Sequence, residues 1–165
     1  MKIRPQDRKR LLRAALGQEP CDLLIQNARL VNVLTGEIYP ADVYAADGFI
    51  VHVESDKPGA DCAPAKTVID AAGSCLIPGF IDSHEHIESS MMTPRNFAGA
   101  VIPQGTTTVI TDPHEIANVL GVEGVRYMME ASEDLPMRQL LDVPSCVPSA
   151  PGLEGAGAAF GAKEV

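Results

Sequence analysis

The chain has 165 residues, with 13 Lys plus Arg, 22 Asp plus Glu, four Cys, no Trp and a formal net charge of -9. At 45% hydrophobic and 21% charged residues it is not a disordered tail, and its length admits one domain of ordinary size. The negative charge argues against a nucleic-acid polymer or an anionic membrane surface as partner, because both depend on Lys and Arg meeting phosphates.

Six of the 13 basic residues, Lys2, Arg4, Arg8, Lys9, Arg10 and Arg13, lie at the start. Residues 1–20 read as a solvated N-terminal helix ending at Gly17. A transit peptide is disfavoured, because Asp7 and Pro5 interrupt the stretch and no Ser precedes residue 55. No apolar run approaches the ~20 residues of a membrane helix and no signal peptide is visible, so a cytoplasmic location is expected. Cys21, Cys62, Cys75 and Cys146 form no C-x-x-C pair. Free buried or half-buried thiols are therefore expected, not a disulfide framework or a zinc ribbon.

Residues 21–75 read as short strands. Leu23 to Ile25 and Ala28 to Val33 are apolar, and Ile38 to Ala45 alternates into Asp47-Gly48, a hairpin turn signal. Phe49 to Val53 returns, 57–66 is a Pro- and Gly-bearing loop, and Thr67 to Asp70 is a further strand. A small antiparallel β layer is the expected result.

From residue 76 onward apolar runs alternate with helical stretches. Leu76 to Asp82 reads as a strand interrupted by Pro78-Gly79, and Thr93-Pro94 caps a helix through Ile102. Thr106 to Thr111 reads as a buried strand, Gly121 to Ser132 as a helix and Arg138 to Val143 as a third strand. This order predicts an α/β fold of parallel βαβ units. Gly152 to Ala162 has no clear period.

Three of the four histidines fall in two clusters, each just after a predicted parallel strand, where α/β folds build their sites. In Asp82-Ser83-His84-Glu85-His86-Ile87-Glu88, alternation puts Asp82, His84 and His86 on one face. Two imidazoles there can grip a divalent metal, with a carboxylate as third ligand or as an orienting group. The second cluster, Asp112-Pro113-His114-Glu115, can face the same cavity. It also reads as a helix start, with Asp112 capping and Glu115 completing a capping box. His86-Ile87-Glu88 matches the H-x-E of zinc cytidine and tRNA adenosine deaminases, but their P-C-x-x-C is absent.

Ile77-Pro78-Gly79-Phe80-Ile81-Asp82-Ser83-His84-Glu85-His86 resembles the first-strand motif of the amidohydrolase superfamily, metal-dependent hydrolases on a (β/α)8 TIM barrel. Together with His86-Ile87-Glu88-Ser89-Ser90-Met91, Gly105-Thr106-Thr107-Thr108, the Asp112 to Gly121 stretch and Pro144-Ser145-Cys146-Val147-Pro148, it is similar to the adenine deaminase branch. The resemblance runs from about Cys21 to the end. It implies deamination of adenine to hypoxanthine and ammonia by metal-activated hydroxide attack at a binuclear centre, with manganese favoured over iron or zinc, in a homo-oligomer.

By position, the resemblance makes His84 and His86 metal ligands. Asp112, His114, Glu115 and Glu88 become the catalytic groups, moving protons or touching an accessory metal, and Ser145 and Cys146 shape the substrate pocket. A (β/α)8 barrel takes ~250 residues. Residues 76–165 suffice for about the first three βα units, so an incomplete barrel is expected: the N-terminal portion of such an enzyme, with little or no activity by itself. The alternatives are a cyclic amide hydrolase of the dihydroorotase or hydantoinase kind, which shares the first motif, and a non-catalytic fragment that docks on another chain.

Overall fold

Pro78-Gly79, which interrupts an apolar run in the sequence, is the boundary between two units, Met1–Pro78 and Gly79–Val165. The computed structural model describes residues 5–56, 58 and 64–164. Most of the expected loop at 57–66, and Cys62 within it, lie outside the described residues.

The first unit comprises α1 (Pro5–Ala15), β1 (Cys21–Val31), β2 (Ile38–Ala46), β3 (Phe49–Glu54), β4 (Ala65–Asp70) and β5 (Cys75–Leu76). The sheet runs β3-β2-β1-β4, with β5 also on β1. The β3-β2-β1 part is antiparallel as expected, but β4 and β5 join β1 in parallel, so the layer is mixed. Leu23 to Ile25 and Ala28 to Val33, which read as separate strands, form one strand broken by a bulge. There Asn27 adopts φ 56° and donates its amide to Asp42 Oδ1 at 2.8 Å. At the hairpin tip Asp47 and Gly48 both take positive φ, 50° and 77°, as a tight two-residue turn requires.

The helix α1 is not simply solvated. Leu11 and Ala14 pack on Cys21, Leu24, Tyr44 and Ala46 to close the core of this unit. Among the cysteines, Cys21 is buried and Cys146 half-buried, whereas Cys75 is exposed, because the two-residue β5 sits at the sheet margin.

The second unit comprises β6 (Phe80–Glu85), α2 (Pro94–Val101), β7 (Thr106–Thr111), α3 (His114–Leu120), α4 (Val122–Ala131) and β8 (Arg138–Leu141). Its sheet is parallel throughout, in the order β6-β7-β8. The expected strand from Leu76 to Asp82 is therefore two strands, one in each unit. Gly79 permits a tight entry into β6, since a Cβ there would run into the Thr107 side chain. Thr93 caps α2 by accepting the Asn96 amide at 3.4 Å, with Pro94 in the first turn.

Helices cover one face of this sheet, and Ile87, Phe97, Ala98, Val109, Met128 and Met137 form the buried cluster. Thr106–Thr111 is consequently half-buried: Val109 and Thr111 are fully buried, while Thr107 is open. The edge strand β6 leaves Phe80 and Ile81 56% and 67% exposed. Among the described residues no helix is long and apolar enough to cross a membrane.

Asp22 ties α1 to the sheet. It accepts from Lys66 Nζ at 2.7 Å, from the Asp47 amide at 2.8 Å and from Arg10 at 2.8 Å, while Arg10 also pairs with Asp47 at 2.6 Å. Lys66, the Asp47 amide and Arg10 hold the Asp22 carboxyl well below the usual carboxylate range. A carboxyl with a depressed folded-state pKa contributes stability above its unfolded pKa of about 3.9 and loses it as pH falls further. Asp22→Asn should therefore lower Tm by a constant amount between pH 5 and 8, with the gap to wild type closing below about pH 4; a gap that widens on acidification contradicts the assignment.

Candidate metal centre

The strand β6 ends at Glu85, and a 3-10 turn, Ile87–Ser90, follows at once. Ile87 is fully buried in the core and fixes this turn, so His86 before it and Glu88 after it have little freedom. The next strand delivers the second cluster. The Asp112 amide continues the parallel ladder by donating to the Glu85 carbonyl at 3.0 Å, and Pro113 then starts α3. No side chain caps that helix. Asp112 and Glu115 do not form the capping box that their spacing allowed; their side chains turn to the histidines instead.

The two clusters converge. The His84 and His86 rings lie edge to face with centroids 4.7 Å apart, and His86 and His114 repeat that arrangement at 4.7 Å. Three sets of donor atoms each fit within 4.8 Å: His84, His86 and Asp112; His86, His114 and Glu115; and Asp112, His114 and Cys146. The carboxylate that joins the first-strand pair is Asp112 of the neighbouring strand. Asp82, which alternation put on the same face, instead accepts the His84 amide at 3.2 Å. The β6–β7 register slips between Asp82 and Glu85, so simple alternation fails over this stretch.

His86 Nδ1 lies 2.9 Å from the Asp112 carbonyl. A carbonyl only accepts, so in the neutral ring Nδ1 carries the proton and Nε2 keeps its lone pair for a ligand. Burial pulls the His86 pKa down, but the Asp112 carbonyl and the charges of Glu115, Asp112 and Glu88 outweigh it and the net shift is upward. Glu88 is pushed up chiefly by burial, although the Ile116 amide donates to its Oε1 at 3.3 Å. Burial also works against ionised Glu115, yet the Ser89 hydroxyl, its own amide, His114 and His86 prevail and its pKa falls.

Ser89, which donates to Glu115, was not singled out in the sequence; a hydroxyl one position past H-x-E carries no chemical signal until α3 is in place. His114 Nδ1 stands 3.3 Å from Asp112 Oδ2 and 3.7 Å from Glu115 Oε2. Cys146 comes into reach of Asp112 and His114, whereas Ser145 is exposed and belongs to none of the three groups.

A divalent cation fits what is present. Glu88 Oε2, Asp112 Oδ1 and Glu115 Oε2 are buried oxygens without a hydrogen-bond partner. Among the described residues, no Lys or Arg pairs with these carboxylates. Imidazole nitrogens mixed with carboxylate oxygens are the donor set of zinc, iron and manganese sites.

Residues 75–164 match the sequence profile of the Amidohydrolase family, and the chain belongs to that family. It is 48% identical over 157 residues to an adenine deaminase of Moorella thermoacetica, an alignment that covers 95% of this chain and 26% of that protein. The chain thus spans about a quarter of the length of the curated relatives it matches. Among solved structures it is similar to the D-hydantoinase (dihydropyrimidinase) of a Thermus species, with TM-score 0.50, 27% identity, and coverage of 67% of this chain and 24% of that one. It also shares the fold of the atrazine chlorohydrolase of Arthrobacter aurescens complexed with zinc, with TM-score 0.52, 20% identity, and coverage of 72% and 35%. The fold is the incomplete barrel expected from the sequence, with three consecutive parallel strands and the helices between them.

Because Ile87 is fully buried between His86 and Glu88, Ile87→Ala should cost about 2–5 kcal/mol in urea unfolding and Ile87→Val about 0.5–1.5 kcal/mol. Metal affinity measured by calorimetry should fall in the same order; an Ala variant that binds metal as wild type does contradicts the positioning role of this turn.

Proposed function

We propose that this chain supplies the first two ligand-bearing strands of an adenine deaminase, a cytoplasmic metal-dependent hydrolase that converts adenine to hypoxanthine and ammonia in purine salvage. The observation that carries the reading is the meeting of His84 and His86 with Asp112 from the adjoining strand. The near-50% identity to adenine deaminases along almost the whole chain supports the choice of substrate.

His84 and His86 would hold the metal, manganese being the choice the motif resemblance favours, with Asp112 as the carboxylate offered from β7. A divalent ion there would supply acidified water and a polarised substrate, which hydrolysis of an aromatic amine requires. The protein's own groups do the rest. Glu115, fixed by Ser89 and flanked by His86 and His114, accepts a proton at its buried Oε2 and returns it to the departing ammonia. Glu88, whose pKa burial raises, holds α3 through the Ile116 amide and keeps its other oxygen toward the site. Cys146 and the neighbouring Ser145 border the substrate side. Three strands build only part of such a cavity, so the remaining ligands come from outside these 165 residues and this segment alone turns over little or no adenine.

The test is a chimera in which residues 1–165 replace the matching quarter of the Moorella thermoacetica relative. Loaded with manganese, it should release ammonia from adenine, and His86→Ala should reduce both bound metal and turnover to background. Turnover of hydantoins or dihydropyrimidines without adenine would instead favour a cyclic amide hydrolase, the reading that the likeness to the Thermus hydantoinase supports.

A further inference from the structure

We propose that the segment from Gly157 to Phe160 is a clasp that sets the place of α3, with Gly157 as the positioning residue for His114 and Glu115; the inference rests on the reading of those two groups as part of the site. At seven residues α3 is too short to hold its place by itself, since isolated helices below about 12–15 residues are marginal in water. Its first turn carries His114 and Glu115, and its Ile116 amide donates to Glu88. Whatever packs against the rest of the helix therefore decides where these groups stand.

Gly121, at φ 63°, turns the chain out of α3, and the Asn118 carbonyl in the last turn of the helix accepts the Gly157 amide at 2.6 Å. The Asn118 side chain donates to the His114 carbonyl at 3.0 Å, so one residue joins the clasp to the site-bearing end of the helix. Ala158 and Phe160 pack on the buried cluster of Ala117, Val125 and Val147, and the Phe160 amide donates to the Val147 carbonyl at 2.7 Å. The approach leaves no room for a side chain at 157. A Cβ there would stand 2.7 Å from the Asn118 carbonyl oxygen and 2.9 Å from that of Val119. Both are backbone atoms, which cannot rotate aside. Gly157 does not adopt a positive φ, so the constraint is steric alone. The helix α4 presses on α3 through Gly124, where a Cβ would stand 2.7 Å from the Ile116 carbonyl oxygen. To relax a contact from 2.7 Å to an ordinary 3.4 Å takes about 0.7 Å of movement, and misplacement near 1 Å can cost about 100-fold in rate.

The test reads the histidine rings of the metal-free 165-residue chain by NMR. In Gly157→Ala the nuclear Overhauser contact between His86 and His114, whose ring centroids lie 4.7 Å apart, should weaken. The contact between His84 and His86, also at 4.7 Å but independent of α3, should stay as it is, a separation that a general loss of stability would not produce. Gly155→Ala, where a Cβ meets nothing within 4 Å, should leave both contacts unchanged. In the manganese-loaded chimera, Gly157→Ala should lower kcat about 10- to 100-fold with bound manganese unchanged. On the unmutated chain, which needs no variant to fold, the Gly157 amide should exchange with deuterium at least about 10-fold more slowly than the Gly155 amide. Equal exchange of the two amides, an unaltered His86–His114 contact, weakening of both ring contacts together, or an active chimera whose kcat the variant leaves untouched overturns the clasp. A parent chimera without adenine turnover would count against the deaminase reading alone, and the ring contacts would still decide the clasp.

Discussion

Glu88, Asp112 and Glu115 bring three carboxylates to the ends of two neighbouring strands, beside the imidazoles of His84, His86 and His114. Each acid keeps one buried oxygen without a hydrogen-bond partner, and among the described residues no guanidinium or ammonium answers them. Leaving such oxygens unpaired costs about 1–3 kcal/mol apiece, and more where they are charged. The cheapest remedy in this donor set is a divalent cation, which uses the carboxylate oxygens and the imidazole lone pairs at once. On the proposed reading, the second unit is a frame that holds these donors together for a metal.

The frame depends on backbone more than on side chains. The parallel ladder continues past β7 through the Asp112 amide and past the second crossover through the Asp142 amide, so each site residue leaves the sheet at a fixed height. Ile87 and Val147, fully buried, then fix the short segments that carry His86, Glu88 and Cys146. The hydrogen bond from His86 to the Asp112 carbonyl locks one ring in the tautomer a metal needs and joins the two clusters directly. The open edge at β6, with Phe80 and Ile81 exposed, is the surface that further barrel strands would cover.

Much of this was legible in the sequence because periodicity and turn chemistry agree. The Thr93-Pro94 start of α2, the Asp47-Gly48 hairpin and the order of parallel strands all follow from local signals. What escaped were features set by pairing between distant segments. The parallel addition of β4 and β5 to β1 cannot be read from strands of six and two residues. The burial of one face of α1 needed a sheet to pack against. At the site the two histidine clusters were visible as residue types after strands, but alternation nominated Asp82 as the carboxylate partner. The register slip in β6 transfers that place to Asp112. Ser89 and the contact of Cys146 with His114 and Asp112 exist only because α3 and the loop after β8 fold over the first cluster.

The most direct measurement of the claim that both histidine clusters serve one metal centre is X-ray absorption spectroscopy of the zinc-loaded 165-residue chain. Multiple scattering from at least two imidazoles per bound ion is expected, reduced in His114→Ala and lost in His86→Ala. A first shell of oxygen alone, unchanged by His86→Ala, would contradict it.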